Sequence, residues 1–262
     1  MTHPIAGRLQ SDSSRAVRLI LLDIEGTTTP IAFVHEVLFP FARARLADWL
    51  HRRTTTDAYR DVVEALRTEH ASELALGRPV PPWPSNLASD SEDQAGAVAY
   101  ATWLMDDDRK SPALKQWQGL IWEEGYQAGL LHGQVYEDVP PAIRRWRDAG
   151  IDVAIYSSGS ELAQRRLFAS TGYGDLTPLV VGFFDTRVGA KVEPASYLRI
   201  AAALGHTPAE VLFVSDVTRE LRAAADAGCR TILSLRPGNP AQPDADAYVH
   251  VRSFEDIVAA SG

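Results

Sequence analysis

The 262 residues suffice for one large domain, or for a core domain carrying a smaller insertion. A hydrophobic share of 45% can bury a sizeable core, and 23% charged residues is ordinary for a globular chain. A net charge of -8 excludes a broad nucleic-acid or anionic-membrane surface, so any phosphate has to be held by local cations or a metal ion.

Residues 1–16 are polar, lack an apolar signal core and read as a disordered tail. Val17–Asp23 (VRLILLD) is a short apolar run ending in Asp and Gly-Thr-Thr, which predicts a buried strand and a loop. From about residue 31 to 134 the apolar spacing is helical, in HEVLFPFARARLADWLHRR, DAYRDVVEALRTEHASELAL, AVAYATWLMDDD and ALKQWQGLIWEEGYQAGLL. A Pro-, Ser- and Asp-rich stretch over 77–94 interrupts it and reads as an exposed loop. The block predicts an all-helical insertion of roughly 100 residues, a usual size for a small domain.

Beyond it, strand and helix alternate. Asp138, Pro140 and Pro141 open a helix that Gly150 follows. Then come IDVAIY, ELAQRRLFAST, LVVGFFD, PASYLRIAAAL, VLFVSD, TRELRAAADAG, CRTILSL, AYVHV and SFEDIVAA. Such βα repetition predicts an α/β fold: a doubly wound, Rossmann-like parallel sheet with right-handed crossovers and an inserted helical domain. The expected division is a core of 17–30 with 135–262, and an insertion of 31–134.

In an open parallel sheet, ligands bind at the carboxyl ends of the strands. Asp23 and Glu25 follow the first strand, Ser157-Ser158-Gly159 the second, Lys191 the third, and Ser215-Asp216 the fourth. Singly, each is most simply a cap, a turn residue or a surface charge. Jointly, four chemically matched groups at four strand ends describe a phosphoryl-transfer site. Asp23 is placed to attack phosphorus and form an aspartyl-phosphate. Glu25 suits a general acid and base, and Asp23 with Asp216 supplies the carboxylates Mg²⁺ prefers. Ser157 and the Ser158 and Gly159 amides suit phosphate oxygens, and Lys191 offsets the charge gathered there.

Other groups offer less. The seven histidines show no metal-ligand pair on one helix, and the six tryptophans read as core. Cys229, the single cysteine, allows no intrachain disulfide or cysteine-based zinc cluster, and fits a reducing cytoplasm. No run approaches the about 18 apolar residues of a membrane-spanning helix. A cytoplasmic protein, monomeric and without nucleic-acid or membrane partners, is expected.

The text around these motifs resembles a known family. DIEGTTTPIAFVHEVLFPFAR, ALKQWQGLIWEEGYQAG, VYEDVPPAIRRWRDAGIDVAIYSSGS, FFDTRVGAKVEPASYLRIA and VLFVSDVTREL are similar to the enolase-phosphatases (acireductone synthases) of methionine salvage. These belong to the haloacid dehalogenase-like hydrolase superfamily, and carry Glu where Glu25 stands and most superfamily phosphatases have a second Asp. The likeness covers roughly residues 17–256. It implies a small phosphorylated diketone as substrate, 2,3-diketo-5-methylthiopentyl-1-phosphate, enolised and then dephosphorylated to 1,2-dihydroxy-3-keto-5-methylthiopentene. It further implies one Mg²⁺ per subunit held by Asp23, Glu25 and Asp216, phosphate held by Ser157, Ser158 and Lys191, and the insertion as a cap. Glu25 and Lys191 are both candidates for removing the C1 proton, and Phe33, Trp122 and Tyr126 are candidate walls for the methylthio tail.

Two other readings use the same residues. Another capped small-metabolite phosphatase would differ only in its cap. An aspartyl-phosphate signalling switch also combines an acceptor Asp, Mg²⁺, a hydroxyl and a Lys, but such domains are far shorter and lack the helical insertion.

Overall fold

The computed structural model describes residues 16–84 and 89–257. Of the expected tail, all but Ala16 lies outside the described residues. Strands β1 (Leu19–Leu22), β2 (Asp152–Tyr156), β3 (Gly182–Phe184), β4 (Val211–Ser215), β5 (Arg230–Ser234) and β6 (His250–Val251) form one sheet in the order β3-β2-β1-β4-β5-β6. Every pairing is parallel. The central strands are almost wholly apolar because both faces are covered: LILL in β1 is wholly buried, and so is VLFVS in β4. The strand order reverses at β1, which has β2 on one side and β4 on the other; there an open sheet forms its ligand crevice. Leu22 pairs with Ile155 and Val214, so the next residues, Asp23, Tyr156 and Ser215, emerge side by side at the carboxyl edge.

The chain forms two compact units, one running up to Val34 and resuming at His132, the other spanning His35–Leu131. The second unit holds α1 (Phe39–Arg43), α2 (Leu46–Arg53), α3 (Asp57–Ala75), α4 (Asp90–Asp106) and α5 (Pro112–Gln127). Thr56, Ser89 and Ser111 cap α3, α4 and α5, each accepting a backbone N–H from the helix's first turn. Trp49, Val62, Leu66, Tyr100, Trp117 and Ile121 are buried in its core. The stretch from His35 to Arg53, helical in its apolar spacing, is helical in more than one piece. Residues Phe33–Leu38 form a π turn, α1 follows, and a turn at Ala44 and Arg45 precedes α2. Pro40 lacks the N–H an unbroken ladder needs, and Trp122 Nε1 donates to the Leu38 carbonyl at 2.7 Å. In the expected 77–94 loop, α4 already begins at Asp90, and 85–88 lie outside the described residues.

In the sheet unit, α6 (Val139–Asp148), α7 (Glu161–Ala169), α8 (Pro194–Ala203) and α9 (Thr218–Asp226) cover the two faces. Leu19, Leu21, Ala154, Tyr156, Val211 and Phe213 point to one face, where Tyr197 and Ile200 of α8 and Leu221 and Ala224 of α9 pack. Ile20, Leu22, Val153, Ile155, Leu212 and Val214, of the opposite parity, are buried on the other face. Each such aliphatic side chain contributes about 1.5–3 kcal/mol relative to leaving it in water. The run LVVGFFD yields only the short edge strand β3, because Pro178 holds Thr177–Leu179 in a 3-10 turn. The expected last helix over 253–260 appears as a 3-10 turn at Phe254–Asp256; residues 258–260 lie outside the described residues. Among the described residues no helix is long and apolar enough to cross a membrane.

Candidate active site

Asp23 is 4% exposed at the carboxyl end of β1, its backbone N–H donating to Val214 O at 3.0 Å. Oδ1 accepts the Ile24 amide at 2.7 Å and lies 2.7 Å from Lys191 Nζ. Oδ2 lies 3.0 Å from Ser215 Oγ. Both carboxylate oxygens are therefore oriented from fixed elements, β1, β4 and the loop before α8. After Asp23 the chain doubles back: the amides of Thr27, Thr28 and Thr29 all donate to Ile24 O, and Thr28 Oγ1 donates to Asp23 O at 3.0 Å. Gly26 makes that turn possible. It adopts φ +68°, and a Cβ there would meet Asp216 Oδ2 at 2.3 Å. Glu25, half-buried, sits between Asp23 and Gly26 and pairs with Thr29 across the turn.

Lys191 is buried and bridges two carboxylates: Asp23 at 2.7 Å and Glu220 Oε2 at 2.6 Å. Burial alone would lower its pKa, but the charges of Asp23 and Glu220 outweigh burial and hold it above the ordinary lysine value, as an ammonium. Glu220 is pushed up by burial, in part offset by Lys191, and also accepts from Ser215 Oγ at 3.0 Å. Asp216, 6% exposed after β4, is pushed up to about 7 by burial and by the nearby charge of Asp23. Three acids thus surround one lysine, leaving two net negative charges in a buried crevice when all are ionised.

Ser157 is buried beyond β2, and its Oγ accepts the Gly159 amide at 3.3 Å. Ser158 is exposed. The side-chain cap of α7 is Ser160, accepting Ala163 N, so Ser157-Ser158-Gly159 forms the loop before the helix rather than its first turn. Gln164 fastens that loop, its Nε2 donating to Gly159 O at 2.7 Å and Phe184 O at 2.8 Å.

Asp23, Lys191 and Asp216 are therefore brought together, with Glu25 on the turn after β1 and the serines on the neighbouring loop. Phe33, Trp122 and Tyr126, the candidate walls, are each buried, at 2%, 9% and 9% exposure. Glu220 and Ser215, which complete the contacts of Lys191 and Asp23, are not marked by the sequence for this role. The available signal was spacing: Glu220 falls four residues after Asp216, one helical turn. Asn239 is another, donating Nδ2 to Gly26 O at 2.8 Å, as is Arg236, donating Nε to Thr27 O at 3.2 Å. Both brace the turn after β1 from the loop after β5.

A carboxylate at the end of β1, opposed by a lysine and a second aspartate at the sheet's reversal point, is an arrangement for acting on a phosphate or a similar electrophile. Residues 17–228 match the family described as haloacid dehalogenase-like hydrolase. The enolase-phosphatase E1 of Synechococcus elongatus is 49% identical over 242 residues, 92% of this chain and 98% of that protein. A probable bifunctional methylthioribulose-1-phosphate dehydratase/enolase-phosphatase E1 of Vitis vinifera is 48% identical, over 92% of this chain and 47% of its own length. The crystal structure of the UTR4 protein of Saccharomyces cerevisiae superposes with a TM-score of 0.71 at 34% identity, over 92% of this chain and all of that one. The chain belongs to the haloacid dehalogenase-like hydrolases and, within them, to the enolase-phosphatase E1 family.

Proposed function

We propose that this chain is a bifunctional enolase-phosphatase of methionine salvage, converting 2,3-diketo-5-methylthiopentyl-1-phosphate to 1,2-dihydroxy-3-keto-5-methylthiopentene and phosphate. The observation that carries the reading is the likeness to enolase-phosphatase E1 along nearly the whole chain, strand-end motifs included. In this reading Asp23 attacks phosphorus, the bond from phosphorus to the C1 oxygen breaks, and Glu25 gives that oxygen its proton. Water then attacks the aspartyl-phosphate with Glu25 as base, freeing phosphate and restoring the Asp23 carboxylate. Ser157, Ser158 and Lys191 hold the phosphoryl oxygens. Lys191 is the electrostatic partner, since an ammonium shared by two carboxylates has a proton to donate and no lone pair to accept one. That leaves Glu25 as the better of the two candidates for removing the C1 proton in the enolisation.

The donor set fits Mg²⁺. Among the described residues no three His, Cys, Asp or Glu side chains converge as a ready-made cage. Mg²⁺ does not need one, because it usually keeps several waters and takes one or two carboxylates plus substrate phosphate. Asp23 and Asp216, with Glu25 beside them, would hold it, and the surplus negative charge of the crevice suits a divalent cation. Bound there, it would offset charge on the transferring phosphoryl group. The helical unit is proposed as the cap that shields the enol from water, and the enzyme as a cytoplasmic monomer.

The test is substrate selectivity. Phosphate release is measured from the diketo phosphate and from a panel of simple phosphate monoesters, each with Mg²⁺ and with chelator. A marked preference for the diketone, lost on chelation, is the expected result; equal turnover of the whole panel would reduce the protein to a general phosphatase.

A further inference from the structure

Lys191 sits on the irregular segment between β3 and α8, and loops are ordinarily the most mobile parts of a fold. This one is pinned at four consecutive carbonyls by side chains. Arg199 Nη1 donates to Val188 O at 2.7 Å, and Tyr156 Oη to Gly189 O at 2.8 Å. Ser196 Oγ donates to Ala190 O at 2.9 Å, and Tyr197 Oη to Lys191 O at 2.7 Å. The donors come from β2 and from α8. Tyr197 Oη also lies 3.2 Å from Glu220 O, placing it where the lysine's segment meets α9. Tyr156 and Tyr197 are buried and meet edge to face at 5.6 Å, so neither hydroxyl is free to wander. Gly189 closes the arrangement: at φ +135° it has no Cβ, and one there would meet Ser196 Oγ at 2.2 Å and displace it from Ala190 O.

These bonds satisfy the carbonyls of a segment that belongs to no strand or helix, and in doing so tie it to β2 and α8. Their effect is to fix the Cα of Lys191, and with it the reach of an ammonium that must lie within hydrogen-bond distance of both Asp23 and Glu220. We propose that Tyr156, Ser196 and Tyr197 are positioning residues that hold the Lys191 segment in its working conformation, with Tyr197 as the member that ties it to α9. The inference rests on the phosphate-holding role proposed for Lys191. It adds that the lysine's placement is imposed through its own backbone, by groups that never touch substrate.

Tyr156→Phe and Tyr197→Phe remove only the hydroxyls and keep the rings, including the Tyr156 ring centred 6.0 Å from Lys191 Nζ. Steady-state kinetics on the diketo phosphate, inhibition by inorganic phosphate and thermal unfolding are measured for both variants, for Lys191→Met, and for Lys191→Met combined with Tyr197→Phe. A misplaced charge costs transition-state stabilisation, so kcat should fall about 10- to 100-fold, with a smaller change in KM and phosphate inhibition weakened about tenfold. Because Tyr197 acts through Lys191, removing its hydroxyl from the Lys191→Met enzyme should cost less than about twofold more. Two results would overturn the inference: folded tyrosine variants that keep wild-type kcat and phosphate inhibition, or a Tyr197→Phe loss that persists in full without the lysine. If Lys191→Met does not fold, phosphate inhibition of the single tyrosine variants still decides it. Unchanged activity in Lys191→Met would instead sink the role proposed for the lysine itself.

Discussion

At the scale of single residues, the site depends on a lysine shared between two acids. Glu220 holds Lys191 Nζ at 2.6 Å and accepts from Ser215 Oγ, which also faces Asp23. Glu220→Gln keeps the shape but removes the charge, so Lys191 should shift toward Asp23 and blunt it as a nucleophile. Turnover should drop about tenfold or more, as when a supporting shell around a reactive group is disturbed, with little change in melting temperature. Kinetics paired with thermal unfolding checks this. A second prediction concerns Asp138, which takes Arg236 Nη1 at 2.7 Å, the Phe254 amide at 2.6 Å and Ser253 Oγ at 3.0 Å. Burial pushes its carboxyl up, but these donors outweigh burial and hold it below the ordinary carboxylate range. The stabilisation is then fully present above about pH 4, where the unfolded carboxyl ionises, and is lost as pH falls through the lower folded value. Asp138→Asn should cost about 3 kcal/mol or more at neutral pH by stranding a buried Arg236. It should also flatten the acid limb of the stability curve, read by denaturant melts from pH 7 down to about pH 2.

At the scale of elements, the turn after β1 is the most exacting. Gly26→Ala must adopt a left-handed conformation and push its methyl group into Asp216. The expected loss is about 1–3 kcal/mol of stability together with a fall of about 100-fold in turnover, because the nucleophile turn and Asp216 cannot both keep their places. A kcat within twofold of wild type would contradict the close approach. The sequence disclosed the elements unevenly, for physical reasons. β1, β2 and β4 were legible because a strand covered on both faces must be apolar at nearly every position. β3 and β6, at the sheet's two edges, were marked by LVVGFFD and AYVHV, but the strands formed there are shorter than those runs. The turn at Ala44 and Arg45 that separates α1 from α2 has no comparable mark in the sequence, since the apolar spacing continues through it. Asp23, Lys191 and Asp216 could be picked out because each polar group follows directly on an apolar strand or stands in the loop before a helix. Glu220 could not, since an acid in a helix's first turn is what the helix dipole favours anyway. Asn239, Arg236 and the tyrosine bracing of Lys191 are tertiary facts: nothing local marks a side chain that reaches a backbone carbonyl in a distant segment.

At the scale of the whole molecule, an acidic chain handles an anionic substrate by concentrating opposed charges at one edge of one sheet. The crevice lies at the strand-order reversal, and every side chain assigned a role in phosphoryl transfer belongs to the sheet-bearing unit. The phosphatase half of the proposed reaction thus draws on the sheet, and the enolisation adds a demand for exclusion of water, which is the task proposed for the helical unit. The most direct test follows both halves together. The diketo phosphate is mixed with Mg²⁺-loaded wild-type enzyme and with Asp23→Asn, while phosphate release and the ultraviolet absorbance of the conjugated enol are recorded on one sample. The account predicts that wild-type enzyme gives both signals and that Asp23→Asn releases no phosphate. Phosphate release by Asp23→Asn at an undiminished rate, or wild-type release with no conjugated product, would contradict it.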